Sequence, residues 1–371
     1  MNGRERVIAA MERRPVDRTP VFPVVTTYLG SRVLERPYVD TVLDPLLQYD
    51  GLRAMIRRFG FDGVEVGFGP ADGWQERQKV VEIDGQRYLA NASGEPSARL
   101  QHDDAAVPLR SEPFIKDKRD LDKIGVTPAE EYERCGTTRP VRELVDELGD
   151  RVFLAGCAAS QTMNSLAGWR GGEQAMLDLR EDPAFVLEVM ERATAISIER
   201  GKALIGAGVH GIYTGDAWAS ASIISPRDYE RFCQPFHAKA AKAFHELGAK
   251  VYLHICGNCK PILELMADTG VDAIEPLDLM SAQDLADAKR RVGDRVCFKG
   301  GVSTLLLLNG SPGEVYRASL DAVRACGPTG YILGSGDDIP RDTPFDNIDA
   351  MVRAASNLAG SGAAAVEEAP D

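Results

Sequence analysis

Apolar positions in this chain fall into two recurring patterns: short compact runs with extended spacing, and longer stretches with helical spacing. Asn2 is a candidate N-cap, and residues 4–13 then read as a helix. Pro15 and Pro20 frame a turn before the run Val21-Phe22-Pro23-Val24-Val25, which predicts a buried strand. Residues 43–59 place Leu46, Leu47, Met55, Ile56 and Phe59 at helical spacing. Residues 63–67 predict a second strand, and residues 80–89 a hairpin turning at Asp84-Gly85. With the polar, proline-containing stretch after it, that hairpin predicts an inserted lid over residues 70–113.

Beyond the lid the alternation is regular. Strands are expected at residues 151–156, 211–215, 250–255, 273–277, 296–299 and 330–334. Helices are expected at residues 183–205, 226–247, 260–268, 282–292, 312–326 and 345–358. With the first two strands this makes eight strand–helix alternations, the number that closes a barrel of parallel strands. The expected fold is therefore an α/β (β/α)8 TIM barrel, one domain over residues 1–360 with the lid inserted. Residues 361–371, rich in Ala and Glu, are expected to be disordered. A doubly wound open sheet is the competing architecture, but no G-x-G-x-x-G follows the first strand.

Composition changes the picture only by exclusion. An apolar content of 44% and a charged content of 27% are those of an ordinary globular protein. A formal net charge of -13 argues against binding nucleic acid or an anionic membrane surface. No run is apolar for long enough to span a bilayer. The start of the chain runs straight into Arg4-Glu5-Arg6 without an apolar leader, so a cytoplasmic location is expected. Of the seven cysteines, Cys135, Cys157, Cys233, Cys297 and Cys326 have no framework spacing and read as free thiols.

The remaining two thiols lie in the segment His254-Ile255-Cys256-Gly257-Asn258-Cys259, directly after the apolar Lys250-Val251-Tyr252-Leu253. Side chains two apart on a strand share a face, so His254 and Cys256 point to one side. Imidazole and thiolate are both zinc ligands. Cys256 and Cys259 also fit a redox C-x-x-C pair, but the neighbouring His favours a metal. Taken alone, the segment is equally well read as a buried Cys and a hydrogen-bonded His. The barrel shifts that balance, because an active site there lies at the C-terminal ends of the strands. The polar residues at those ends are Glu65, Asp216, His254, Cys256, Glu275, Asp278, Lys299 and Asp337.

A working zinc site has three protein ligands and an open position. Asp337, in Gly334-Ser335-Gly336-Asp337-Asp338, is one candidate third ligand, and Cys259 competes with it. Glu275 is a candidate fourth or exchangeable ligand, or a catalytic carboxylate. For Asp337 the alternative is a capping role before the helix start at Thr343-Pro344. Asp216, in Thr214-Gly215-Asp216-Ala217-Trp218, is a candidate to orient substrate or act as a general base, with capping an equal alternative. Tyr213 and Trp218 fit packing roles, but an aromatic wall would also suit a flat cofactor. With Asn258 they are the candidate cofactor contacts.

These residues, together with others along nearly the whole chain, carry a family resemblance. They include Arg4-Glu5-Arg6-Val7, Pro15-Val16-Asp17-Arg18-Thr19-Pro20-Val21, Asp216-Ala217, and Ile224-Ser225-Pro226 with Tyr229 and Phe232. They continue through His254-Ile255-Cys256-Gly257-Asn258, Gly330-Tyr331-Ile332-Leu333, Gly336, Ile339-Pro340, Thr343-Pro344 and Asn347. The chain resembles the uroporphyrinogen decarboxylase superfamily and, within it, the cobalamin-dependent methyltransferase branch (methylcobamide:coenzyme M methyltransferase-like). The resemblance implies a barrel that exchanges a methyl group with a corrinoid, usually delivered on a small separate carrier protein. In thiol-methylating members it implies zinc held by the His and Cys of H-x-C-G and by a later Cys. The bound thiol then attacks the methyl group on cobalt.

Two departures narrow the expectation. The later Cys falls at Asp337, which keeps the ligand charge but makes the site harder. That ranks a pterin, methyl ether or methylamine partner above a simple thiol. The decarboxylase's Arg-rich loop after the first strand reads Thr26-Thr27-Tyr28-Leu29-Gly30 here, and its terminal Gly-His-Gly lacks the His. A polyanionic porphyrinogen needs cationic partners, so that reaction is not expected. The expected protein is a corrinoid-dependent methyltransferase with Zn2+, a cobalamin carrier partner and a small-molecule methyl donor or acceptor, in a possible homodimer. Its rivals are a lyase acting on a smaller carboxylated substrate and a non-catalytic corrinoid-binding barrel.

Overall fold

A computed structural model describes residues 1–109, 112–277 and 284–356. Seven parallel strands form one curled sheet among the described residues: β1 (Gly63–Val66), β6 (Phe153–Cys157), β7 (Gly211–Gly215), β8 (Lys250–His254), β9 (Ala273–Glu275), β10 (Cys297–Val302) and β11 (Tyr331–Ser335). They lie side by side in chain order. Between β1 and β6 the chain makes a separate antiparallel sheet of β2 (Gln78–Ile83), β3 (Gln86–Asn91), β4 (Pro96–Arg99) and β5 (Val107–Pro108), where the lid is expected. Its first turn, Asp84-Gly85, takes φ of 51° and 74°, the twin positive angles a tight hairpin requires.

The expected first strand at residues 21–25 is not a ladder. Val21 makes one isolated parallel bridge to Leu333 of β11. The Phe22 N–H donates to the Leu333 carbonyl at 2.9 Å, and on the other flank the Asp62 N–H donates to the Val21 carbonyl at 2.8 Å. Pro20 and Pro23 have no N–H, which stops the pairing from extending. Prolines also explain two helix corrections. The stretch at 226–247 divides into Pro226–Phe232 and Gln234–Glu246, with the break at Cys233 beside Pro235. The stretch at 43–59 is helical only from Leu47, because Pro45 holds Asp44 out of the helical region. Residues 26–30, read as a loop, lie largely within a helix, Thr27–Val33. Asp278 and residues 361–371 lie outside the described residues.

The sheet buries side chains on both faces. Its convex face packs on the surrounding helices through residues such as Val64, Leu154, Ile212, Val251, Leu253 and Ile274. The concave face holds a second cluster, Phe22, Phe153, Tyr252, Ala273, Cys297 and Ile332, closed from below by Val7, Ala10 and Met11 of the helix Gly3–Met11. That helix starts where expected, with Asn2 and Glu5 forming a reciprocal cap. Side chains two further along each strand return to the concave face. The residues above the apolar floor are thus Glu65, His254, Glu275 and Lys299, reached from Gly63, Tyr252, Ala273 and Cys297. No described helix is long and apolar enough to cross a membrane.

Candidate metal centre

Strand register brings the polar layer together. Gly215 pairs with His254 and His254 with Glu275, so the ends of β7, β8 and β9 are level. His254 is buried, and its Nδ1 lies 2.6 Å from Glu275 Oε1. An ionised carboxylate only accepts, so Nδ1–H donates, and when the ring gives up a proton the lone pair is left on Nε2. Nε2 faces Cys256 Sγ at 2.8 Å and Asp337 Oδ1 at 3.8 Å. One ligand atom each from His254, Cys256 and Asp337 lies within 4.8 Å of the other two, the one such group of three among the described residues.

The electrostatics of this group fit a cation. Burial pushes the Cys256 thiol above its ordinary pKa; His254 opposes this, and Asp337 adds to it. Thiolate and carboxylate are like charges at close range, and each would be relieved by a shared positive ion. Burial disfavours a charged His254, but its contacts with Cys256 and Glu275 outweigh that and raise its pKa. The donors are one nitrogen, one sulfur and one oxygen, a set zinc accepts. The Asp337 side chain is 44% exposed, which leaves this group open to the mouth on one side.

Cys259 lies apart from this group. It is buried and donates to the Ile255 carbonyl at 3.0 Å, and burial raises its pKa far above the ordinary value. Glu275 sits behind His254 rather than beside Asp337: its second oxygen pairs with the Lys299 ammonium. Lys299 is fully buried, lies 3.6 Å from Glu65 Oε1, and stands over the rings of Phe22 and Tyr252 at 4.2 and 5.2 Å. The Tyr252 hydroxyl donates to Glu65 at 2.9 Å. Burial opposes charge on Glu275, but Lys299 and His254 together lower its pKa. At Glu65 burial wins and the pKa is raised. The layer is therefore a continuous chain, Tyr252–Glu65–Lys299–Glu275–His254, ending at the ligand group. Asp337 caps no helix; its Oδ1 accepts from the N–H of Asp338 at 2.8 Å.

Asp216 occupies a different position. It is fully buried and accepts from Thr162 N at 3.1 Å, from Asn164 N at 2.8 Å and from the Thr162 hydroxyl. His237 Nε2 lies 3.1 Å away, and His237 Nδ1 lies 3.2 Å from the Tyr229 hydroxyl. This carboxylate ties the entry of the helix Met163–Arg170 to the end of β7. Tyr213 faces the site, its ring centroid 5.4 Å from that of His254 and 5.6 Å from that of Tyr252. Trp218 packs on the core, and its backbone N–H donates to Asn164 Oδ1 at 2.9 Å. Asn258 Oδ1 accepts from Lys260 N at 3.2 Å, so its side chain shapes the following turn. The sequence gives Tyr229 only as part of a family motif and no site role to Thr162, His237 or Tyr252, whose partners lie 54, 21 and 187 residues away.

Comparison with known proteins places this geometry. The uroporphyrinogen decarboxylase (URO-D) family matches residues 98–358. A uroporphyrinogen decarboxylase of Coxiella burnetii is 24% identical over 370 residues, covering 95% of both chains. The methylcobamide:CoM methyltransferase MtbA of Methanosarcina mazei is 27% identical over 364 residues, covering 95% of this chain and 97% of that one. A solved structure described as a methyltransferase from Methanosarcina mazei superposes with a TM-score of 0.76 at 21% identity, covering 97% of this chain and 100% of that one.

Proposed function

Since the chain belongs to the uroporphyrinogen decarboxylase family, we propose that it is a corrinoid-dependent methyltransferase whose metal is held by His254, Cys256 and Asp337. The observation that carries this reading is the convergence of three unlike donors, with the imidazole fixed from behind by Glu275. A carboxylate on the far nitrogen sets the tautomer and raises ligand basicity, as in carboxylate–histidine–zinc arrangements. Support for an eight-membered barrel comes from the segment at Val21, which bonds to β11 on one flank and to Asp62 on the other.

Bound zinc would act as a Lewis acid, lowering the pKa of a coordinated partner. The chain's own residues do the rest. Glu275 and Lys299 hold His254 in one orientation. Asp337, open to the mouth, leaves room beside the ligand group for a small molecule. Tyr213 forms a wall next to His254, and Asp216 fixes the loop at residues 162–164 from below. The partner is a pterin, methyl ether or methylamine in preference to a simple thiol, because Asp337 makes the donor set harder. The corrinoid is expected on a small separate carrier protein. A lyase on a smaller carboxylated substrate is the second reading, supported by the decarboxylase relatives alone.

The test is spectroscopic. Methyl-Co(III) and Co(I) corrinoids differ in visible absorbance. The protein is mixed with methylcobalamin and reduced pterins or thiols, and separately with Co(I) corrinoid and methyl ethers or methylamines. A spectral change that disappears in Cys256→Ser, which also loses metal by elemental analysis, supports the proposal. Full activity in metal-free protein overturns the metal. Release of carbon dioxide from a carboxylic acid, with no spectral change for any partner and a cognate carrier present, gives the lyase instead.

A further inference from the structure

The far end of the sheet carries a second concave site. Residues 60–62 lead into β1 and Arg151-Val152 lead into β6, and beside them lies a cavity of about 490 Å3. It is at the N-terminal ends of the strands, opposite the candidate metal centre. The N-terminus of the helix Gly3–Met11 opens onto it, and five arginines line it: Arg6, Arg18, Arg53, Arg57 and Arg151. Asp62 and Glu147 share the lining, and Asp17 and Asp50 pair with Arg6 and Arg53 from beside it, so five guanidiniums face four carboxylates.

The arginines are not equivalent. Arg6, almost fully buried, reaches Asp62 at 2.6 Å and Asp17 at 2.6 Å. Arg18 takes the same Asp62 with both terminal nitrogens, at 2.7 and 2.9 Å. Arg53 pairs with Glu147 at 2.6 Å. These three are fixed by carboxylates and form a charge-balanced floor. Arg57 and Arg151 make no side-chain hydrogen bond or ion pair with any described residue, and both stand exposed at the rim. Gly3 sits on the floor because a Cβ there would come within 2.8 Å of the Arg151 carbonyl, so the helix start lies directly against the cavity wall.

We propose that this cavity binds a small phosphorylated anion, with Arg57 and Arg151 as the gripping residues. Guanidinium forks match phosphate oxygens in pairs. The volume is in the range of small-molecule sites. The site lies a full strand length from the ligand group, so it is separable from the reaction chemistry.

Calorimetric titration of the full chain with inorganic tripolyphosphate and inorganic phosphate tests this. Saturable binding of tripolyphosphate at one site per chain is expected, weaker for phosphate and weakened by salt. Arg57→Gln and Arg151→Gln should each reduce affinity by about tenfold, the size of one charge-assisted contact. Both residues are exposed, so the variants fold; metal content should be unchanged. Arg119→Gln, an exposed arginine away from the cavity, should bind like the parent. Absence of saturable binding overturns the proposal. So does unchanged affinity in the Arg57→Gln, Arg151→Gln double variant, or an equal loss in Arg119→Gln, which would mean diffuse attraction to surface charge. Tight binding of a short RNA with no tripolyphosphate binding would assign the cavity to nucleic acid instead.

Discussion

Replacing Lys299 with Met removes the one cation between two buried carboxylates and leaves most of the volume filled. Lys299 is fully buried, in contact with Glu275 and 3.6 Å from Glu65. Breaking a buried pair by removing one partner costs about 3–5 kcal/mol, because the other charge stays behind without compensation. Two features place this case near the lower bound. Burial already favours the protonated form of Glu65, so Glu275 is the main uncompensated charge, and Glu275 keeps its bond from His254. A loss of about 3 kcal/mol is therefore expected. Urea unfolding of the metal-free protein near neutral pH measures it. The deficit should shrink in acid, where a proton can take the place of the ammonium on Glu275. Adding Glu275→Gln to Lys299→Met should recover part of the loss, since no charge then remains unpaired. A loss below about 1 kcal/mol, the scale of an exposed pair, refutes the reasoning. So would strict additivity in the double variant, since contacting charges should couple by about 0.5–3 kcal/mol.

Four further outcomes follow from the same geometry. Asp337→Ala should weaken zinc binding by more than the roughly 10–100-fold typical of losing an outer-shell partner, while Cys259→Ala changes it little; equilibrium dialysis against a chelator ranks them, and the reverse order would move the site to the H-x-C-x-x-C segment. Glu275→Gln should fall within that roughly 10–100-fold range, because the amide still accepts from Nδ1 but carries no charge. Asp216→Asn should cost about 1–3 kcal/mol in unfolding free energy by leaving donors of the 162–164 loop unmatched, with metal content intact, and loss of metal would place it among the ligands. His210 gives a pH dependence: burial, with Arg4 adding, lowers its pKa from 6.5 to about 4, and its Nδ1 accepts from Leu154 N at 3.0 Å. The folded state thus binds fewer protons than the unfolded chain between those values. Stability is full above pH 6.5 and falls as the pH drops towards 4, by about 2 kcal/mol after allowance for partial exposure; His210→Asn should flatten that slope.

The strand ends were legible because each strand is a short apolar run with its polar residue at a fixed end. His254 and Cys256 could be placed on one face from spacing alone, and Glu275 and Lys299 could be put at the same level. Their roles could not, since the order His254–Glu275–Lys299–Glu65 depends on strand register and the curl of the sheet. Glu275 therefore reads as a candidate fourth or exchangeable ligand from sequence and stands behind His254 in the fold. Asp216 shows the opposite limit. Its position at a strand end fits a reactive carboxylate, but its partners Thr162 and His237 come from segments 54 and 21 residues away, and they enclose it. The prolines at 20, 23, 45 and 235 are visible in the sequence, but apolar periodicity runs through them, so the breaks they impose show only in the fold. The cavity at the opposite end was invisible for a simpler reason: its arginines lie in four separate segments, each unremarkable by itself.

The choice between methyl transfer and decarboxylation of a polyanion depends on which cations the mouth can offer. Decarboxylase and methyltransferase relatives cover the chain almost equally, so identity does not decide it. The engagement of the nearby cations bears on it. The helix after the Val21 segment carries Arg32 in its last turn. Its guanidinium instead donates to the carbonyls of Arg341 and Thr343 and lies 4.6 Å over the ring of Phe345. Arg341 is paired with Asp103 at 2.9 Å, and Lys299 is sealed beneath its two glutamates. Opposite them stands Asp338, next to the ligand group, whose carboxyl is raised to about 7 by burial and by the nearby Glu65 and Asp337. Arg32, Arg341 and Lys299 are thus all engaged within the fold, which leaves none of them to grip a polycarboxylate and supports a metal with a neutral or cationic methyl donor. Freeing Arg341 by Asp103→Asn should increase affinity for a tetracarboxylate probe in fluorescence titration. No increase would mean that the exclusion arises elsewhere, and the electrostatic case against a porphyrinogen substrate would fail.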